Sequence, residues 1–188
     1  PLWGHPELLN RTLGWYHRAE PVARQIAERQ GFDGIRWMKM TDPDAMEAPS
    51  KVGSFLIWQQ PHLIHLAELV YRATKDEAVL KNYYDLVMKT AEFMYSFATY
   101  DEANDRYILK GIIAAQETLR ASENVNPPME LSSWHYGLST AQLWRERMGE
   151  PRVAEWDTLL AKLSPLAKDA EGKLYLASED ATDSYTNI

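Results

Sequence analysis

The chain has 188 residues, of which 45% are apolar and 25% are charged, and it carries a formal net charge of −7 at pH 7. This size and composition are ordinary for one globular domain with a sizeable core, whereas an acidic chain without a basic run is unsuited to nucleic-acid binding. Because there is no cysteine, disulfides, thiolate catalysis and cysteine-ligated zinc are excluded. No apolar run approaches the length that spans a bilayer, so we expect no membrane span.

The first predicted element is a helix over residues 5–30, where apolar residues recur with a period near 3.6. Pro21 lies inside this pattern and is expected to kink or split the helix, because proline lacks an amide hydrogen. Gly31 is expected to end it. Residues 32–49 have no sustained period and many turn formers, which predicts a long loop. Its aromatic and methionine content argues against disorder and favours a functional segment.

The next two helices are predicted to form an antiparallel hairpin. One covers residues 55–74, with Pro61 in its first turn, where the missing N–H is not needed. The other covers residues 77–98 and carries one apolar stripe, with Asp76 as its N-cap. Because only two or three residues connect them, these helices should lie side by side in opposite directions.

The second half of the chain repeats this arrangement. Residues 100–109 predict an acidic turn that leads into a short strand. A strongly periodic helix from Met129 or Glu130 to Met148 and a shorter helix over 153–163 predict a second antiparallel hairpin. Residues 172–176 predict another short strand, and residues 178–188 form a polar tail without a cap.

These elements predict an all-α fold of helical hairpins with short β-strands in the connecting loops. Two complete hairpins are visible, and the first helix has no partner in the pattern. Because an unpartnered helix would leave an apolar face exposed, we expect residues 1–188 to form one partial domain that belongs to a larger helical array.

One loop combines a carboxylate with a stiff backbone. Glu117 follows an apolar approach, and Asn126-Pro127-Pro128 downstream restricts the backbone to extended geometry. Glu123 lies six residues after Glu117, and two carboxylates near one cleft are the minimum for glycoside hydrolysis. Both could equally be ordinary solvated side chains. Glu130 opens a helix, where a partner for the helix dipole is the plainer interpretation.

Seven tryptophans and ten tyrosines are many for this length. Several lie beside polar residues, as in sugar-binding clefts, although aromatic rings also fill gaps between helices. Their setting in loops and helix starts suits a polyol ligand, and the candidate substrate-binding residues are Trp37, Lys39, Trp58, Gln59, Gln60, His62 and Glu130. His62 and His65 share a helix face, but no carboxylate stands at HExxH spacing, so we predict no metal site. No phosphate-binding glycine loop and no nucleophile elbow are present, and we predict no cofactor.

Several segments together resemble the catalytic domain of six-hairpin, (α/α)6-barrel glycoside hydrolases, and they are similar to the family 65 and family 95 branches. They are Gly34-Ile35-Arg36-Trp37-Met38-Lys39-Met40, Trp58-Gln59-Gln60-Pro61-His62, Ala115-Gln116-Glu117 and Asn126-Pro127-Pro128-Met129-Glu130-Leu131. The resemblance covers roughly residues 1–180 and about half of such a barrel. It implies that inner-helix starts line a sugar pocket and that a glutamate is the general acid of an inverting mechanism, a role that the motif position gives to Glu117. Glu123 is the competing assignment, although Ala121-Ser122 lacks the proline of the Ser-Pro-Glu-Asn run in family 95.

Two departures from the family pattern shape the expected reaction. The Gly-Pro-Asp-Glu-Tyr run of family 65 phosphorylases appears here only as Ala114-Ala115-Gln116-Glu117-Thr118, which favours hydrolysis over phosphorolysis. The general base would come from hairpins beyond Ile188. The resemblance therefore implies an inverting glycoside hydrolase that acts on an α-linked sugar, with the remaining hairpins or a self-association partner completing the barrel.

Two alternatives remain open from the sequence. One is a carbohydrate-binding or helical-repeat module without catalysis. The other is a toroid polysaccharide lyase or unsaturated-uronide hydrolase, which is disfavoured because the loop cations are limited to Arg36, Lys39 and Arg120. The protein is expected to be soluble, and periplasmic or secreted if a signal segment preceded Pro1.

Overall fold

The computed structural model describes residues 3–114, 121–122 and 124–181. Within these residues, the α-helices number five and the strands form one two-stranded sheet. They are α1 (Pro6–Arg29), α2 (His62–Thr74), α3 (Glu77–Phe97), β1 (Thr99–Asp101), β2 (Arg106–Ile108), α4 (Pro128–Arg147) and α5 (Ala154–Lys162), with a 3-10 turn at Gly53–Phe55 before α2. The fold is therefore all-α with short strands in a connecting loop, which confirms the predicted fold class.

Helix α1 is continuous through Pro21, so the predicted split is wrong, and the alternative of a kink stays a prediction. Pro21 is exposed, as is His17, whose carbonyl loses its helical donor when residue 21 is proline. Because this carbonyl lies on the solvent side, water can replace the missing N–H and the helix continues.

The α2–α3 hairpin is confirmed, with one shifted boundary. Lys75 adopts a left-handed conformation (φ 54°) that ends α2, and the side chain of Asp76 accepts a hydrogen bond from the amide of Ala78 to cap α3. Helix α2 begins at His62 rather than near Phe55, with Pro61 at its N-cap position. The apolar residues just before Pro61 are buried because the loop packs against the core. In the sequence their spacing looked like that of a helix.

Helices α2 and α4 run parallel. His65 of α2 meets Tyr136 of α4, with Nδ1 and the hydroxyl 2.9 Å apart, and farther along Glu68 accepts from Arg147 at 2.5 Å. Since residue numbers rise together in both helices, their N-terminal ends lie at the same end of the molecule. Trp144 also donates to Glu68 at 2.8 Å. Glu68, Trp144 and Arg147 therefore form a polar cluster that connects the two helices.

Helices α1 and α3 also run parallel, since Tyr83 donates to Asn10 at 2.8 Å and Lys89 pairs with Glu20 at 3.2 Å. Helix α1 packs against both α2 and α3. The prediction that the first helix has no partner is therefore wrong: its partners lie later in the chain, beyond the irregular segment that separates them in sequence.

The connections between helices hold the short strands. β1 pairs antiparallel with β2 between α3 and α4, so the short strand predicted after an acidic turn within residues 100–109 is present and has a partner that the sequence did not reveal. The strand predicted over residues 172–176 is wrong, because that segment makes only an isolated bridge between Lys168 and Tyr175. Residues 32–49 form the predicted long loop, with one isolated bridge between Thr41 and Glu47.

Four loop segments meet where α1 and α3 end and α2 and α4 begin. They are residues 35–39, 54–61, 109–114 and 124–127, and we call them the loop layer. The amide of Ile113 donates to the carbonyl of Phe55 at 3.0 Å, and the amide of Asn126 donates to that of Leu109 at 2.8 Å. The loop layer therefore joins both hairpins at one end of the molecule.

Candidate functional site

A groove of about 500 Å³ lies between the N-terminal halves of the parallel helices α2 and α4. This volume is within the range of small-molecule sites. Its walls combine imidazole, hydroxyl and apolar groups from both helices, namely Pro61, His62, His65, Met129, Ser132, Ser133 and Tyr136. Parallel packing is what brings side chains about 70 residues apart in sequence to one surface.

Aromatic rings border the groove at its α2 wall. The rings of Trp58 and His62 meet edge to face with centroids 5.2 Å apart, and Trp58 is half-buried. Burial lowers the pKa of His62, with a further contribution from the neighbouring His65. His62 is therefore neutral at pH 7, when an imidazole can both donate and accept hydrogen bonds. The structure thus brings together two of the predicted substrate-binding residues at this wall.

Glu130 lies in the first turn of α4, next to Met129 of the groove, and its side chain is completely buried. Neither carboxyl oxygen has a hydrogen-bond partner among the described residues. Burial raises the pKa of Glu130 to about 7, opposed in part by the nearby backbone amide of Glu130 itself, which lies too far out of line to count as a hydrogen-bond partner by geometry. The interpretation of Glu130 as a partner of the helix dipole stays a prediction, because its own backbone amide lowers the pKa while the larger effect of burial raises it.

Two amide side chains of the loop layer also leave an oxygen unpaired. Gln59 donates from Nε2 to the carbonyls of Trp37 (2.9 Å) and Leu56 (3.0 Å), and its Oε1 has no partner among the described residues. Asn124 donates from Nδ2 to the carbonyl of Ile112 at 3.1 Å, and its Oδ1 is likewise unpaired in the described chain. Both side chains are buried.

Gln60 and Trp37 connect segments of the loop layer through hydrogen bonds. Gln60 accepts from the amide of Trp37 at 2.9 Å and donates to the carbonyl of Ile35 at 2.7 Å. Both the oxygen and the nitrogen of its side-chain amide are therefore engaged in hydrogen bonds. The indole of Trp37 is 5% exposed and donates to Thr90 of α3 at 3.0 Å. Direct sugar contact by these two predicted substrate-binding residues stays a prediction, and the site described here does not depend on it.

Arg36 and Lys39, two of the three loop cations considered in the sequence, differ in setting. Arg36 is buried and donates to the side chain of Gln30 and to the carbonyls of Ser54 and Leu56, and burial lowers the pKa of its guanidinium to about 10. Because neutral acceptors already engage this guanidinium, it is poorly placed to bind an anionic sugar. Lys39, a predicted substrate-binding residue, is half-buried in the same layer.

The predicted catalytic residues Glu117 and Glu123 lie outside the described residues, as does Arg120. The described residues on either side of this stretch belong to the loop layer, where Ile113 is bonded to Phe55 and Asn124 to Ile112. The roles of both glutamates as general acid remain predictions.

Sequence reasoning missed Asn124 and the groove residues of α4. Tyr136 follows Met129 by seven residues, and Ser132 and Ser133 lie between them, so these four share one helix face. The available signal was this spacing of two serines and a tyrosine with one exposed methionine on a single helix face. Within the described residues, no group of three His, Asp or Glu side chains could hold a metal ion, and no helix combines the length and apolar composition that crossing a bilayer requires.

Taken together, the described elements form an all-α arrangement of helical hairpins that resembles a six-hairpin toroid. A solved structure described as "Putative kojibiose phosphorylase from human microbiome" superposes with a TM-score of 0.78 at 12% sequence identity. The match covers 93% of this chain and 28% of that chain, so the chain spans less than a third of the length of this neighbour. No protein-family model and no curated protein matches the sequence.

Proposed function

We propose that this chain contributes one wall of the active site of a carbohydrate-active enzyme that cleaves a glycosidic bond. The observation that carries the proposal is the buried, unpartnered Glu130 at the start of α4, beside a groove of about 500 Å³. A carboxyl group that is about half protonated near pH 7 is typical of a site that handles protons or hydroxyl groups. The likeness in fold to a glycoside phosphorylase, and the motifs shared with families 65 and 95, support the same class.

In the proposed reaction, Glu117 donates its proton to the glycosidic oxygen as the bond from the anomeric carbon to that oxygen breaks. A nucleophile attacks the anomeric carbon from the opposite face, which inverts its configuration. If the nucleophile is water, a general base outside this chain accepts its proton. Glu123 is the alternative donor. Trp58 and His62 would pack against the sugar and hydrogen-bond to it at the groove.

The structural neighbour supports a second candidate reaction, phosphorolysis, in which inorganic phosphate replaces water as the nucleophile. The departure from the Gly-Pro-Asp-Glu-Tyr run argues for hydrolysis, whereas the likeness in fold to a putative kojibiose phosphorylase argues for phosphate as the nucleophile. Incubating the protein with α-linked disaccharides, with and without inorganic phosphate, separates the two. A sugar 1-phosphate as product indicates phosphorolysis, and free sugar of inverted configuration indicates hydrolysis.

The proton-donor role is tested by Glu117→Gln. We expect kcat/KM for a disaccharide to fall by a factor of about 10² to 10⁴, the usual contribution of a general acid. An aryl glycoside with a nitrated phenol should be affected much less, because that leaving group needs no proton. Glu28→Gln, at an exposed position of α1, is the matched control and should keep full activity.

Equal losses on both substrates would remove Glu117 from the acid role, and the same comparison with Glu123→Gln then tests the alternative. If the unmodified protein binds glycans but turns over none of them, the non-catalytic module is the correct function. A disaccharide that is cleaved without inversion would contradict the proposed mechanism.

A further inference from the structure

A second cavity, of about 370 Å³, opens where the C-terminal ends of α1 and α3 meet the loop layer. The described residues that line it are all different from those that line the groove between α2 and α4. Its volume is within the range of small-molecule sites. Its walls combine apolar side chains with two cations, Arg36 and Lys110, so the cavity joins two kinds of surface that one ligand could contact together.

Three phenylalanines form most of the apolar wall. The rings of Phe32 and Phe97 lie with their centroids 5.1 Å apart, and Phe55, from the loop layer, is 42% exposed beside them. The amide of Ile113 donates to the carbonyl of Phe55 at 3.0 Å, which holds the backbone of this residue in place. Aromatic rings prefer edge-to-face or offset contacts with other rings, so this wall favours a ligand with an aromatic body.

The guanidinium of Arg36 is buried at another wall, and no carboxylate contacts it within the described residues. Its Nη1 donates to the side-chain oxygen of Gln30 and its Nη2 donates to two backbone carbonyls, all of them neutral acceptors. Burial lowers the pKa of Arg36 to about 10, and Glu47 opposes this effect only in part, because Glu47 is itself bonded to Arg29 at 2.6 Å. A buried charge is costly unless an opposite charge pairs with it, so this wall favours an anion.

Lys110 supplies the exposed cation of the cavity. Its backbone forms an isolated bridge with Val125, which fixes its position at the edge of the loop layer. Its side chain is exposed and has no hydrogen-bond or ion-pair partner among the described residues. The ammonium group is therefore available to an anion that enters from solvent.

We propose that this cavity binds a small aromatic carboxylate, with its ring against the phenylalanines and its carboxylate beside Lys110. The bonds of Arg36 to neutral acceptors leave direct contact with the anion to Lys110, and the buried guanidinium adds a positive potential that no acid cancels. An anionic sugar is a poorer occupant, because its hydroxyl groups would need polar partners that an aromatic wall does not offer. The inference is independent of the proposed function, since both the ligand and the cavity differ from those of the groove.

The test is calorimetric titration of the intact protein with phenylacetate, 3-phenylpropionate and 4-phenylbutyrate, each compared with its neutral amide. We expect at least one acid to bind with a Kd below about 1 mM and roughly tenfold more tightly than its amide. Raising the salt concentration from about 50 mM to about 500 mM should weaken binding of the acid and leave that of the amide unchanged.

Two substitutions separate the contributions of charge and ring. Lys110→Gln should lower the affinity for the acid by roughly fivefold and leave that for the amide unchanged, because only the acid pairs with the ammonium group. Phe55→Ala should lower both affinities by a similar factor, since the ring is common to the two ligands. Lys81→Gln is the matched control: it removes the same charge from an exposed position of α3, sixteen residues before Phe97 or about 24 Å along the helix.

The absence of saturable binding for all three acids would overturn the proposal, as would equal affinity for each acid and its amide. Acid binding that is unchanged in Lys110→Gln would place the ligand elsewhere on the molecule and would overturn it as well. Loss of acid binding in Lys81→Gln to the same extent as in Lys110→Gln would show that only the overall charge of the protein matters.

Discussion

At the scale of single residues, the ionisation of Glu130 couples the candidate site to stability. A glutamate with an ordinary pKa of 4.5 ionises readily in the unfolded chain, whereas burial raises the pKa of Glu130 to about 7 in the folded protein. Between these two values the folded state binds more protons than the unfolded state. The free energy of unfolding therefore decreases as pH rises through this window, and it levels off above pH 7.

The size of this effect gives a prediction for Glu130→Gln. A difference of about 2.5 pKa units corresponds to roughly 3 kcal/mol of stability that the wild type loses between pH 4.5 and pH 7. The glutamine variant cannot ionise, so its stability relative to wild type should rise over the same interval. Urea unfolding at pH 5 and pH 8 measures both curves, and parallel curves would show that Glu130 titrates normally.

At the scale of elements, the loop after α1 approaches α3 so closely that only glycine fits at one position. Gly34 has φ +71°, and a Cβ there would overlap the carbonyl oxygen of Lys89 and lie 2.6 Å from the amide nitrogen of Phe93. The amide of Ile35 donates to the same Lys89 carbonyl at 3.1 Å. This contact fixes the start of the segment that carries Arg36 and Trp37 into the loop layer.

Gly34→Ala should therefore cost more than about 4 kcal/mol, because two backbone atoms of α3 would have to move. Gly31→Ala is the matched control: its φ is +80°, yet nothing lies within 4 Å of the added Cβ, so only the conformational cost of about 1 kcal/mol is expected. Urea denaturation of both variants measures the difference. Similar costs for the two would mean that the loop can move away from α3 without penalty.

The elements that sequence reasoning located correctly are those with local signals. Helix α3 was predicted at 77–98 and observed at Glu77–Phe97, because Asp76 caps it and its apolar stripe is regular. The predicted split at Pro21 was wrong because the effect of an internal proline depends on which side of the helix faces solvent. The strand predicted over residues 172–176 was wrong because a short apolar segment forms a strand only beside a neighbouring strand. The sequence of the segment does not show whether such a neighbour exists.

The candidate site was predictable only in part, for a related reason. The motifs indicated the starts of α2 and α4, where Trp58, His62 and Glu130 are found. Burial of Glu130 depends on which segments cover the first turn of its helix, and the partners of Gln60 depend on the path of residues 35–37. Both depend on tertiary contacts between segments that are distant in sequence. Glu117 and Glu123 stay predictions because they lie outside the described residues.

At the scale of the whole molecule, one ion-pair network links the C-terminal segment to the loop layer. Arg106 of β2 binds Glu179 through two hydrogen bonds of 3.0 and 2.8 Å, and Asn126 donates to the same carboxylate at 2.6 Å. Ser178 also bonds the backbone of Val125 in both directions. The start of α4 is thereby held by residues about 50 positions later in the chain.

Glu179→Gln should lower the free energy of unfolding by about 2 kcal/mol, since it removes the charge from a partly buried pair and weakens the contact to Asn126. Amide hydrogen exchange should speed up at residues 124–131 and stay unchanged in the α2–α3 hairpin. Glu171→Gln, in an exposed pair with Lys173, should change stability by less than about 0.5 kcal/mol. Uniform exchange across the molecule would contradict a local role for the network.

The parallel course of α2 and α4 also separates two kinds of evolutionary constraint. The polar cluster of Glu68, Trp144 and Arg147, with the guanidinium 4.6 Å from the ring of Tyr71, begins one helical turn beyond the groove on the side away from the loop layer. Substitutions around the groove can therefore accumulate without loosening the helix pair, as loop variation does on other scaffolds with a stable face and a reactive face.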